Sequence, residues 1–276
     1  MPKRFTTQAY RYPNEQIILW LTIFLVLVII AITATATVCL SGFFVIFAVG
    51  MAYYAGAAHQ RELLEHAQMI TPQNRPPLAQ IIRESAERLQ VEPLQVFLVR
   101  SRALNAYTFG LSSPKAIVLH DSLFQVMDRE ELQFIIGHEM GHVHLGHTWL
   151  NSLVGGMAGI PASGSATLLL VLALRWWNRA CEYSADRAGL LACSQPQKAI
   201  SALIKLEAGA HANRPEAIRE ALERIEAQDD DLGNNLSEML ATHPMIIKRI
   251  EQLRAYIRSS QYQQLQARMN ENLSEG

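Results

Sequence analysis

Between Ile17 and Ala58 the chain carries no Asp, Glu, Lys or Arg, a run of 42 residues. A helix spanning the hydrocarbon core of a bilayer needs about 20 apolar residues, so this run is long enough for two passes. The more polar stretch from Thr33 to Gly42 supplies the bend between them. Lys3, Arg4 and Arg11 precede it, and positive charge beside a membrane helix favours the cytoplasmic side. Two passes would return the remainder of the chain to that side. A cleaved signal peptide accounts less well for the run, whose apolar core is too long and is followed at once by a second. A single crossing stays open, because Phe43 to Ala58 offers only 16 residues.

Composition agrees. Apolar residues make up 50% of the 276 residues and charged ones 18%, below the usual quarter. A net charge of −1 gives no reason to expect nucleic acid as a partner. Cys39, Cys181 and Cys193 offer no disulfide framework, and they read as free thiols in a reducing compartment. The chain divides into a cytoplasmic segment (1–16), two transmembrane helices (17–58), a folded domain (59–258) and a polar tail (259–276).

Within the domain the pattern is mixed. His59 to Met69 reads as a polar helix leaving the bilayer. Pro76 and Pro77 open a helix with Leu78, Ile81, Ile82, Ser85 and Leu89 on one face. Val96–Val99, Asn105–Phe109 and Ala116–His120 read as strands, with Ser112, Ser113 and Pro114 as a turn. Asp128 and Glu131 form a capping-box pair at the head of a helix running to His147, with Leu132, Ile135 and Ile136 as its apolar stripe. Further helices are expected near Ser194–Leu206, Pro215–Ala227 and Pro244–Ser259. Asp229, Asp230 and Asp231 read as a solvated acidic turn.

The chemistry lies in His138-Glu139-Met140-Gly141-His142. Residues four apart share a helix face, so His138 and His142 can grip one zinc ion. Glu139 follows the first ligand and is placed to take a proton from a metal-activated water. A catalytic zinc needs a third protein ligand, and Glu182 supplies a carboxylate. Asp186, one turn later, can accept a hydrogen bond from the far nitrogen of a ligand histidine, for which His138 is the natural choice. An ion pair between Glu182 and Arg179 is the ordinary alternative. The spacing of His144 and His147 from His142 does not suit a shared metal, and both read as structural.

These residues resemble the family of HtpX-like and CaaX-prenyl-endopeptidase membrane zinc metalloproteases, in which glutamate is the third ligand. Leu104-Asn105-Ala106-Tyr107, Arg179 to Asp186, and Thr242-His243-Pro244 with Arg249-Ile250 carry the resemblance further. It covers about residues 75 to 255. It implies an α+β, mostly helical fold: a zincin-type metalloprotease domain with a small β-sheet behind a transmembrane hairpin. It implies an endopeptidase with one Zn2+ per chain and Glu139 as general base. Its substrates would be proteins or peptides, in membrane-protein or misfolded-protein quality control. The metal ligands would be His138, His142 and Glu182, supported by Asp186 and Arg179. His243 would stabilise the oxyanion, plug the zinc, or merely cap the helix after it. Asn105, Ala106 and Tyr107 would pair with an extended substrate through main-chain hydrogen bonds. A scaffold or chaperone adaptor retaining the fold is the non-enzymatic alternative.

From Thr148 to Leu174 another 27 residues lack Asp, Glu, Lys and Arg. His142 and Glu182 must meet one ion, so the chain has to return to the same side. Two crossings would need about 40 residues. A short apolar hairpin over 148–177 is therefore expected, turning near Gly155 to Gly164, with Trp176 and Trp177 at headgroup level or, if the hairpin is a soluble one, in its core.

Overall fold

In the computed structural model, the described residues are 5–36, 67–109, 115–148, 165–227 and 246–274, with isolated positions between 47 and 58. The first long helix is α1 (Glu15–Ala36). Ile17, Trp20, Leu21, Phe24, Leu27 and Ile32 on it are exposed. Its side chains are described without a break only as far as Ile29, and among the described residues no helix is long and apolar enough to cross a membrane. The second arm of the expected transmembrane hairpin lies largely outside the described residues.

The segment before α1 does more than lead into it. Phe5 and Tyr10 are buried in the main core. Arg11 Nη2 donates to the Leu145 carbonyl at 2.9 Å, and the Tyr12 amide donates to Ser184 Oγ at 2.7 Å. The guanidinium of Arg187 stacks over the rings of Tyr12 and Tyr256. Residues 5–15, expected within a cytoplasmic N-terminal segment, thus pack against the folded domain.

A small mixed sheet follows. Gln68–Met69 form β1, where the sequence suggested the end of a helix. After α2 (Pro76–Leu89) come β2 (Gln95–Val99), β3 (Ala106–Phe109) and β4 (Ala116–His120), close to the expected bounds. The spatial order is β1-β2-β4-β3. β2 and β4 are parallel, with Val96 opposite Ile117, while β3 runs antiparallel to β4, with Tyr107 opposite Val118. Ala116 to Leu119 are buried on both faces, as suits a central strand of apolar residues. β3 is left at the edge.

A four-residue helix, α3 (Leu123–Val126), leads to α4 (Arg129–His144). The expected capping box is present: Asp128 accepts from the Glu131 amide at 3.0 Å, and the Asp128 amide donates to Glu131 Oε2 at 2.9 Å. Glu131 is buried, and Ser201 and Lys205 each donate to it at 2.6 Å. Every residue from Glu131 to Val143 is buried. Leu132, Ile135 and Ile136 are therefore part of a fully enclosed helix, not one apolar stripe.

The long helix α5 (Ser165–Cys193) packs along α4. Small residues permit a close approach. A Cβ added at Gly141 would meet Ala188 Cβ at 2.8 Å and Ala185 Cα at 3.2 Å. Gly137 faces Ala192 and Gly189 in the same way. The first arm and turn of the expected 148–177 hairpin lie outside the described residues, and the stretch expected as its second arm falls on the first half of α5. Trp176 is exposed, but Trp177 is 1% exposed and packs with Ile18, Leu174, Ala180 and Cys181. Trp177 therefore belongs to a core and not to a headgroup belt. Cys181 and Cys193 are free thiols, and both are buried; Cys39 lies outside the described residues.

The remaining helices are α6 (Pro196–Ala208), α7 (Pro215–Ala227), α8 (Ile246–Ile257) and α9 (Ser260–Ser274). α9 replaces the expected polar tail. Tyr262, Leu265 and Met269 fall three and four apart and bury one side of it. A glutamine-rich sequence hid that sparse stripe. The acidic turn at 229–231 lies outside the described residues.

Candidate metal centre

Two helices build the site. α4 presents His138 and His142 on one face, and α5 presents Glu182 opposite them. All three are buried, at 5 to 7% exposure. His138 Nε2 and His142 Nε2 are 3.1 Å apart. Glu182 Oε1 is 3.4 Å from His142 Nε2, and Glu182 Oε2 is 3.6 Å from His138 Nε2. A tetrahedral zinc with bonds near 2.1 Å has ligand-to-ligand edges of about 3.4 Å. The triangle of donor atoms therefore fits a zinc ion, and two imidazoles with one carboxylate are a donor set suited to it. The fourth side of such a tetrahedron is free of these three residues.

The outer contacts fix the rings. His138 Nδ1 lies 3.0 Å from Asp186 Oδ1. With Nε2 turned toward the metal position, Nδ1 carries the proton and donates to Asp186. Asp186 is itself held by Arg249, whose Nε and Nη2 donate to its two oxygens at 2.8 and 2.5 Å. Nη1 of the same guanidinium lies 3.3 Å from Glu182 Oε2. Burial opposes the charge on both carboxylates, yet Arg249 with the histidines holds Glu182 well below its ordinary pKa and Asp186 below its own. Both are ionised ligands or partners at neutral pH. Glu139 differs. Burial pushes its pKa up against the pull of His138 and His142, so its carboxylate is a stronger base than one in water.

His142 has its own support. Its Nδ1 lies 3.0 Å from His147 Nδ1, and His147 Nε2 lies 3.2 Å from Glu15 Oε1. His147 was expected to be structural, on the assumption that the helix continues through it. On a continuous helix residues five apart lie about 140° around from each other. Instead α4 ends at His144, and Gly146, at φ +82°, turns the chain so that the His147 amide donates to the His142 carbonyl at 2.9 Å.

Arg179 lines a separate cleft with Tyr12, Trp176, Tyr183 and Lys248. The guanidinium that joins Glu182 to Asp186 is that of Arg249, which the sequence offered only as part of a late motif. His243 lies outside the described residues. Asn105 is exposed just before β3, while Ala106 and Tyr107 lie half-buried on that edge strand. β3 packs against α4, the helix that carries both histidines. Its outer edge is the one to which an added strand can bond.

Two packed, buried helices thus bring two imidazoles and one carboxylate into a triangle that could hold a metal ion, an arrangement suited to a metallopeptidase. Residues 72–257 match peptidase family M48, and the chain belongs to that family. It is 32% identical over 205 residues to the plastoglobule-localized metallopeptidase 48 of Arabidopsis thaliana, covering 69% of this chain and 59% of the relative. It is 27% identical to a protease HtpX homolog of Syntrophotalea carbinolica, over 64% of this chain and 75% of the relative. A protease HtpX homolog of Pyrococcus furiosus is 24% identical over 68% and 76% of the two chains.

Proposed function

We propose that the chain is a membrane-anchored, zinc-dependent endopeptidase that cleaves membrane-associated or misfolded proteins. The observation that carries the chemistry is the 3.1, 3.4 and 3.6 Å triangle of His138, His142 and Glu182 donor atoms. His138, His142 and Glu182 would hold one zinc. Bound there, zinc would polarise a scissile carbonyl and acidify water. Asp186 and Arg249 keep the His138 ring and the Glu182 carboxylate in place before substrate arrives. Glu139 accepts a proton from the attacking water and passes it to the leaving amine, a role its burial favours. Asn105, Ala106 and Tyr107, along β3, bind an extended peptide through backbone hydrogen bonds, which tolerates varied substrate sequence. By the family resemblance His243, outside the described residues, is the candidate to stabilise the developing oxyanion.

Anchoring rests on α1. Its 22 residues would extend about 33 Å as a helix. Glu15 is its only charged residue, and it faces the domain. Exposed Trp20, Phe24 and Leu27 suit lipid better than water. The basic residues before α1 favour the cytoplasmic side for the domain.

The test compares wild type with Glu139→Gln for zinc content and casein cleavage. Zinc retained by both, with cleavage lost in the variant, is expected. Equal cleavage by both would remove Glu139 from its role. Zinc bound by both without cleavage by either would favour the scaffold reading.

A further inference from the structure

We infer that Glu15 and His147 are positioning residues for the metal ligand His142, so that the N-terminal arm completes the zinc site. The inference rests on the zinc reading above and deepens it.

The geometry permits one run of proton positions. With Nε2 of His142 toward the metal, its Nδ1–H donates to His147 Nδ1, 3.0 Å away. His147 accepts there and must carry its proton on Nε2, which donates to Glu15 Oε1 at 3.2 Å. Glu15 then has to be an ionised acceptor. Two further contacts hold it so: Arg11 makes an ion pair with Oε1, and Ser184 donates to Oε2. Each link fixes the next, so reversing any tautomer would set two protons or two lone pairs against each other.

The chain is sealed from water. Glu15 and His147 are each 1% exposed. The His147 and Trp177 rings meet edge to face, with centroids 6.1 Å apart, and Ser184, which accepts from the Tyr12 amide, donates to Glu15. Cys181 also lies within metal-ligand distance of Glu15 and His147. Both ring nitrogens of His147 are already engaged by His142 and Glu15, which makes this cluster a hydrogen-bonded support and not a second metal site.

The arrangement mirrors the one around the other histidine. His138 leans on Asp186 and then Arg249; His142 leans on His147, then Glu15, then Arg11. The first relay comes from helices of the domain. The second crosses to the arm that enters α1. Undocking the arm would free the His142 ring to rotate and strip its far nitrogen of an acceptor.

Zinc affinity of the full chain, purified in detergent, tests this by competition with a chromogenic chelator. Glu15→Gln and His147→Leu should each weaken zinc binding by about 10-fold or more. The double variant should be no worse than His147→Leu alone, because the two act through one relay. His147→Gln, which can accept and donate at similar positions, should recover most of the affinity. Thermal unfolding of the metal-free proteins reports folding separately. Glu182→Gln controls for the zinc site itself: unchanged affinity in that variant would refute the zinc reading. If Glu182→Gln weakens binding while Glu15→Gln and His147→Leu keep wild-type affinity, the relay is refuted. Additive losses in the double variant, or no recovery with His147→Gln, would refute it as well.

Discussion

Replacing Gly141 with alanine should disable the site without touching a ligand. The added methyl would stand 2.8 Å from Ala188 Cβ and 3.2 Å from Ala185 Cα. Carbon atoms prefer separations of about 3.5 to 4.0 Å, so the helices would have to part by roughly 0.7 to 1.2 Å. Neither neighbour can rotate away, since one is a backbone carbon and the other a bare methyl. His138 and His142 lie on one side of that contact and Glu182 on the other. Donor distances of 3.4 and 3.6 Å between Glu182 and the histidines would stretch past what one zinc can bridge tetrahedrally. A 1 Å displacement at a catalytic centre costs about 100-fold in rate. Overpacking costs about 1–3 kcal/mol, and each kcal/mol lowers the melting temperature of a domain this size by about 2–4 °C. Steady-state cleavage of fluorogenic casein, chelator competition for zinc and scanning calorimetry would be measured on the same preparation. Wild-type kcat/KM and zinc affinity in Gly141→Ala would refute the argument that helix spacing sets the ligand triangle.

Other perturbations separate the remaining parts. Asp186→Asn removes the charge that faces Arg249 and His138, and should weaken zinc binding about 10- to 100-fold; undiminished affinity would contradict that support. Asp128→Ala deletes the α4 cap and should cost about 1 kcal/mol, read as a lower melting temperature. Burial opposes the charge on Asp128, but Lys198 and the Glu131 amide hold its folded pKa below the ordinary value. Its contribution is therefore full above the unfolded pKa and fades as pH falls through the folded one. The melting-temperature gap to Asp128→Ala should narrow in acid, and a gap independent of pH would exclude the ionised cap. The full chain should stay with the membrane pellet after an alkaline carbonate wash; recovery in the supernatant would overturn the proposed anchor.

Local chemistry made much of this protein legible from its sequence. The 3.6-residue period put His138 with His142 and Glu182 with Asp186 on common faces. The capping pair Asp128 and Glu131 fixed where the metal helix begins, and Pro76, Pro196 and Pro215 open helices as proline at a first turn does. Apolar β-branched runs marked β2 and β4. Contacts between segments distant in sequence were not legible. Arg249 reaches Asp186 across 63 residues, and Glu15 reaches His147 across 132. Nothing in a local period reports such distances. The contact of His147 with His142 was not legible either, because a glycine with positive φ just past the helix end folds the chain back, a change that periodicity assumes away. The sequence alone determined which residues can bind a metal and which helices carry them. Only the tertiary structure decided what holds those ligands still. Buried charges and ring tautomers are set by whichever groups packing brings beside them, and packing is a property of the whole chain.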